Sequence, residues 1–180
     1  MGVKLNTGLG GSITIDATNT ASNVTATLPA VSGTVAVSGN IPAFSAFRSG
    51  SHQTISSSTW TKVQLNSETF DTANCYDPTT NYRFTPNVAG YYQINFSIYA
   101  GNGTNQAILV SVFKNGVGYV QISNYASSSG ILDDWNTGGS TLVYLNGSTD
   151  YIELYAYIVG SAVINLGNGT YMDGFLARTA

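Results

Sequence analysis

Gly90-Tyr91-Tyr92-Gln93-Ile94-Asn95-Phe96-Ser97-Ile98-Tyr99 alternates with period two: Tyr92, Ile94, Phe96 and Ile98 fall on one side, Tyr91, Gln93, Asn95, Ser97 and Tyr99 on the other. Side chains alternate in this way along a β-strand, so the stretch predicts a strand with one face in a core. The pattern returns at Ile152, Leu154, Ala156 and Ile158, set against Tyr151, Glu153, Tyr155 and Tyr157. Between them, Val112-Phe113-Lys114-Asn115-Gly116-Val117 reads as a tight hairpin, because Asn and Gly both tolerate positive φ. Further Asn-Gly pairs at 102–103, 146–147 and 168–169 read as turns between strands. No segment carries sustained helical periodicity with caps. The spacing of the turn signals predicts an all-β fold, an antiparallel sandwich or jelly roll of about ten strands.

The second face of these strands is unusual. A half-buried strand in a solitary sandwich shows charged or small polar residues to water. Here Tyr91, Tyr99, Tyr151, Tyr155 and Tyr157 stand there instead. Tyrosine offers a large contact area with a polar tip, the chemistry enriched at subunit interfaces. Composition agrees: 8% of the 180 residues are charged, against roughly a quarter in ordinary globular chains. The missing charge and the outward tyrosines together predict self-association, in which a closed ring would also protect the sheet edges.

Several function classes are excluded. A net charge of −3 leaves no basic field to gather phosphates, so no nucleic acid is expected as partner. Aromatic content of 12% with little charge argues against disorder. No run of about 18 apolar residues exists, so no membrane partner is expected. Met1-Gly2-Val3-Lys4-Leu5-Asn6 lacks a signal-peptide core, and Asn6 stands where myristoylation needs Ser or Thr. The single cysteine, Cys75, has no internal partner, so folding without oxidation, in a cytoplasm, is expected.

The chain divides near residue 40. All 12 Tyr, 7 Phe and 2 Trp lie beyond it. Residues 1–40 hold three short β-type pieces, Ile13-Thr14-Ile15, Val24-Thr25-Ala26-Thr27-Leu28 and Thr34-Val35-Ala36-Val37. Without large side chains these cannot build a core alone. They read as an arm or foot that docks on a particle or shaft, with Ile13, Ile15, Val24, Leu28, Val35 and Val37 as the docking candidates. Residues 41–180 form the knob.

Phe84, Gly90, Tyr92 and Phe96 follow the signature spacing of the complement-one-q and tumour-necrosis-factor-like jelly roll, which residues 41–180 resemble. Phe70-Asp71, Tyr76-Asp77, Phe84-Thr85-Pro86, the opening Pro42-Ala43-Phe44-Ser45-Ala46-Phe47 and the ending Gly174-Phe175-Leu176 fit the same pattern. Ile94 replaces the family's usual Phe and Met172 its usual aromatic; both keep an apolar group inward. The resemblance implies a ten-stranded jelly roll in a tight homotrimer with aromatics toward the three-fold axis. Tyr91, Tyr92, Phe96, Tyr99, Tyr151, Tyr155, Tyr157 and Phe175 are the candidates for that interface and core. Separately, the phrase from Ala21 to Val37 is similar to segments of tailed-bacteriophage virion proteins, where it precedes receptor-binding or surface domains. It implies a place on the virion surface after assembly in a host cytoplasm.

Chemistry is sparse. His52 lies in a Gly/Ser-rich loop and reads as exposed; one Cys and one His cannot make a structural zinc set. The carboxylates worth weighing are Glu68 with Asp71, Asp133 with Asp134, and Glu153. Asp133 and Asp134, just before Trp135, are weak calcium candidates, two acids being far short of a full oxygen shell; no other cofactor is expected. The reading is non-enzymatic, with a glycan-cleaving enzyme in last place. Two roles stay open. One is a capsid decoration or cement protein contacting the major capsid protein, slightly preferred. The other is a tail-fibre or spike tip binding a host-surface receptor or glycan, with Tyr125, Asp134, Trp135 and Asn136 as glycan contacts.

Overall fold

The computed structural model describes residues 3–6, 12–15, 41–101, 107–125, 135–160, 162–164 and 167–180. The chain forms two compact units, Met1–Gly33 and Thr34–Ala180. In the first, β1 (Val3–Asn6) and β2 (Ser12–Ile15) make an antiparallel ribbon. Its register pairs Val3 with Ile15 and Leu5 with Ile13, alternating with Lys4–Thr14 and Asn6–Ser12. Strand β2 coincides with the expected piece at 13–15. The pieces at 24–28 and 34–37, and with them Val24, Leu28, Val35 and Val37, lie outside the described residues.

The second unit is a sandwich of two sheets, with no helix among the described residues. Its strands are β3 (Ala43–Arg48), β4 (Gln53–Ile55), β5 (Thr61–Lys62), β6 (Ser67–Asp71), β7 (Tyr76–Asp77), β8 (Arg83–Phe84), β9 (Gly90–Gly101), β10 (Ala107–Lys114), β11 (Val117–Tyr125), β12 (Trp135–Leu145), β13 (Ile152–Val159), β14 (Ala162–Ile164) and β15 (Gly167–Thr179). One sheet runs β12-β9-β15-β3-β6, with the short β14 and β4 beside the far end of β9. The other runs β11-β10-β13-β8-β7, with β5 beside β13. All these strand pairings are antiparallel.

The period-two pattern is realised in the core. Tyr92, Ile94, Phe96 and Ile98 of β9 face Ile152, Leu154, Ala156 and Ile158 of β13 in one cluster of buried side chains, joined by Ile108, Val110 and Val112. Phe44 stacks on Phe84 with centroids 4.2 Å apart and on Tyr76 at 5.4 Å, while Phe84 meets Tyr92 edge-on at 5.4 Å. Ile94 and Met172, the two departures from the family pattern, are fully buried here. Two core phenols keep a partner: Tyr92 Oη donates to the Val88 carbonyl (2.7 Å) and Tyr76 Oη to that of Leu65 (3.0 Å). Burial pushes both phenol pKa values far above the ordinary range.

The Asn-Gly pairs divide. Asn115 and Gly116 have φ of 53° and 79° and close the β10–β11 hairpin as the sequence indicates. Asn146 turns the chain between β12 and β13, its Oδ1 accepting from the backbone N–H of Ser148, Thr149 and Asp150. Asn168-Gly169, by contrast, is no turn: it lies within β15. A Cβ at Gly169 would sit 2.7 Å from that of Tyr99, so glycine there answers close strand packing.

Candidate interaction surface

The registers convert the outer face of the first sheet into cross-strand rows. The first row is Tyr144–Tyr91–Arg178, the second Leu142–Gln93–Phe175–Ala43. The third is Ser140–Asn95–Asp173–Ser45–Phe70, the fourth Gly138–Ser97–Tyr171–Phe47–Ser67. A fifth, partial row pairs Asn136 with Tyr99. The alternation that buries Tyr92, Ile94 and Phe96 is what turns Tyr91, Gln93, Asn95, Ser97 and Tyr99 to this face.

The chemistry is apolar and aromatic with a polar middle. Leu142, Phe70, Phe175 and Tyr91 are each between 42% and 51% exposed, a large apolar area left to solvent on one sheet face. The rings of Tyr91 and Tyr144 lie 5.5 Å apart, and Lys114 Nζ, 5.6 Å from the Tyr144 ring centroid, donates to the Tyr144 carbonyl (2.7 Å). The same ammonium pairs with Asp150 at 3.0 Å. Hydrogen bonds from Asn115 and Lys114 hold the Asp150 carboxyl below its usual pKa. In the middle row, Asn95 Nδ2 donates to Asp173 Oδ1 (2.8 Å), so the carboxylate facing outward there is already engaged.

The sequence-derived candidates for interface and core fall into four places. Tyr91, Tyr99 and Phe175 share the face just described. Tyr92 and Phe96 are buried between the sheets. Tyr155 and Tyr157 stand on the outer face of the opposite sheet, because β9 and β13 belong to different sheets and their outward residues point away from each other. Tyr151, just before β13, lies under the Arg83 guanidinium at 4.3 Å. One tyrosine face read from the sequence is therefore two faces. Leu142, Tyr144 and Phe70 were not anticipated. A signal for two of them exists in Leu142-Val143-Tyr144-Leu145, which is apolar on both sides of the strand and so reads as covered on both.

Of the glycan candidates, Tyr125, Trp135 and Asn136 lie among the described residues. Trp135 and Asn136 are exposed at the start of β12, where Asn136 Oδ1 accepts from Ser97 Oγ; Tyr125 ends β11 in the other sheet. Asp133 and Asp134 lie outside the described residues. Of the docking candidates, Ile13 and Ile15 sit in β2. The remaining carboxylates have structural work. Asp71 accepts from the N–H groups of Ala73 (3.1 Å) and Tyr76 (2.7 Å), and Glu153 is buried against Lys62. The Glu68 carboxyl is raised, by desolvation first and then by Asp71 and Asp77. His52 is exposed, and Cys75 is buried with its thiol pKa raised by desolvation. Among the described residues no three His, Cys, Asp or Glu side chains come together as metal ligands.

Neither a protein-family model nor a curated protein sequence matches the chain. Its fold does match solved structures. Eiger TNF from S. frugiperda overlays with a TM-score of 0.60 at 8% identity, over 78% of this chain and 93% of that one. Murine APRIL overlays with a TM-score of 0.57 at 11% identity, over 76% and 98%. The PRD1 vertex protein P5 is a looser match, TM-score 0.49 at 16% identity over 76% and 97%, too loose to carry a functional argument. The knob therefore has the TNF-like jelly-roll fold that its residues resemble, and at these identities the likeness is one of fold alone.

Proposed function

We propose that the protein is a non-enzymatic homotrimer on the surface of a virus particle, slightly preferred as a decoration or cement protein of the capsid. The observation that carries the trimer is the outer face of the β12-β9-β15-β3-β6 sheet. It presents Tyr91, Tyr144, Leu142, Phe175 and Phe70 with only Asp173 and Arg178 as charged residues in its rows. A face of this composition resembles the centre of a subunit interface, depleted of charge and rich in aromatic side chains. Among the described residues β12 pairs only with β9, so it is also a sheet edge that a neighbouring subunit would shield. The resemblance of residues 41–180 supports three copies rather than two. The particle assignment is supported by the likeness of residues 21–37 to virion segments, and the arm is the segment that docks.

Light scattering on the purified chain tests the interface. The wild type is expected at three times the chain mass of 18.9 kDa, and Phe175→Asp, which puts a charge on an exposed position, as a folded monomer. A monomeric wild type at micromolar concentration overturns the proposal. Labelling intact particles separates the roles: many copies on the head support decoration, whereas few copies at the tail support a fibre tip.

A further inference from the structure

The opposite sheet carries a second feature on its outer face. Trp60, just ahead of β5, lies across it, its ring 5.5 Å from Phe113 and 5.4 Å from Tyr157, and Phe113 stacks on Tyr155 at 4.1 Å. A cleft opens on each side of Trp60. One, of about 260 Å³, is lined by Phe113, Gly118, Tyr119 and Gln121; the other, of about 340 Å³, by Leu109, Gln121 and Tyr157. Trp60 and Gln121 line both, so the two form adjoining halves of one groove. From this geometry we infer that the groove is a binding site for a neutral oligosaccharide, with one sugar ring on each side of Trp60.

Charge selects the ligand class first. No charged side chain lines either cleft, and the ammonium of Lys62, two residues beyond Trp60, is paired with Glu153. An anionic or cationic ligand would surrender its hydration without a counter-charge. The walls select next. Aromatic rings offer flat apolar contact, while polar contact at the margins comes from the Tyr157 hydroxyl and from the acceptor side of the Tyr119 hydroxyl, whose proton goes to the Leu142 carbonyl (3.0 Å). A pyranose has that same division, apolar ring faces with hydroxyls around the rim. A peptide fits less well. Strand addition uses a backbone edge, and these clefts open on the sheet face, over side chains of β10, β11 and β13. The groove lies wholly within residues 41–180 and does not depend on the trimer reading.

The test uses the full chain carrying Trp135→Phe, which leaves Trp60 as the sole indole. Its fluorescence is titrated with maltotriose, cellotriose, mannotriose and galactotriose, and with a proline-rich decapeptide as comparison. A saturable change with at least one trisaccharide below about 10 mM is expected, unchanged by added salt. Gly118→Leu fills the first cleft without removing any side chain. The nearest atoms to a Cβ there, in the Phe113 ring and Ser111 Oγ, are at 3.9 Å, an ordinary contact distance, so the added side chain starts without a clash. This variant is expected to weaken binding on the order of tenfold with an unchanged melting temperature. No response to any trisaccharide, a response to the peptide alone, or full affinity in Gly118→Leu each overturns the inference.

Discussion

Asp77 organises the turn between β7 and β8 with a single short side chain. Its Oδ1 accepts from Thr79 N and Oγ1 (both 2.9 Å) and Thr80 N (3.0 Å); its Oδ2 accepts from Asn81 N (3.0 Å) and Nδ2 (2.8 Å). Those bonds, the N–H groups of Thr80 and Thr79 foremost, hold its pKa far below the ordinary 3.8. The folded state thus favours the ionised form. Its stabilisation is fully present above the unfolded value and is lost as pH falls through the depressed one. Asp77→Asn is expected to be about 1–2 kcal/mol less stable at neutral pH, a gap that narrows progressively as pH falls from about 4 to about 2 and closes only below that, at the depressed pKa. Glu68, whose pKa is raised, runs the other way, its contribution declining as pH rises. Because the Asp77 charge, after desolvation and Asp71, is itself one cause of that raised pKa, Asp77→Asn also relaxes Glu68, and the comparison is made in a Glu68→Gln background so that the difference isolates Asp77. Denaturant melts of the pair at both ends of that range check this; a gap independent of pH would mean that the carboxylate charge is not what the turn uses. Sequence reading placed Tyr76-Asp77 in a family pattern but not the five bonds, because several donors come from backbone groups that any residue supplies.

At the scale of elements, alternation was legible and cover was not. Strand β13 reads correctly along its length, yet Glu153, at an outward position, is only 4% exposed. Two-residue strands lie beside it: β8 pairs Arg83 with Glu153, and β5 brings in Lys62. Such short pieces carry no periodicity of their own, so no sequence pattern announces them. The same cover brings Trp60 onto Phe113 and Tyr157, which is why the tyrosines of β13 are half-buried in an aromatic cluster. The Lys62–Glu153 pair gives the arrangement a test. Removing Lys62 leaves a buried carboxylate without its ammonium, whereas removing both groups removes the desolvation cost too. Lys62→Met is expected to lose about 2–4 kcal/mol, discounted for the partial exposure of Lys62, and Lys62→Met with Glu153→Met to recover to within about 1 kcal/mol of wild type. A double variant no more stable than the single one would show that Glu153 holds β8 and β5 through contacts other than the ion pair.

For the whole molecule, the scarcity of charge has a location. Arg48 and Glu153 are buried, Arg48 donating to the carbonyls of Gln64 (3.0 Å) and Ser51 (2.8 Å), so even fewer charges reach the surface than the composition suggests. What remains outward includes two aromatic faces on opposite sheets: one broad and exposed, the other broken by the groove at Trp60. The broad face belongs to β12, β9, β15, β3 and β6, all within residues 41–180, so the proposed association belongs to the knob and not to the arm. Two outcomes follow. A chain lacking residues 1–40 should keep the oligomeric mass of the full chain while losing attachment to particles. The assembly should also be nearly indifferent to salt, since screening acts on exposed charges and the rows of this face hold only Asp173, already bonded to Asn95, and Arg178 at the margin, with Lys114 beside Tyr144 already paired with Asp150. Apolar association strengthens instead with excluded salts such as sulfate. Sedimentation of the truncated chain in low and high sodium chloride, and then in sulfate, measures both at once. Dissociation by sodium chloride would assign the interface to ion pairs on some other surface, and a monomeric truncated chain would move it to the arm.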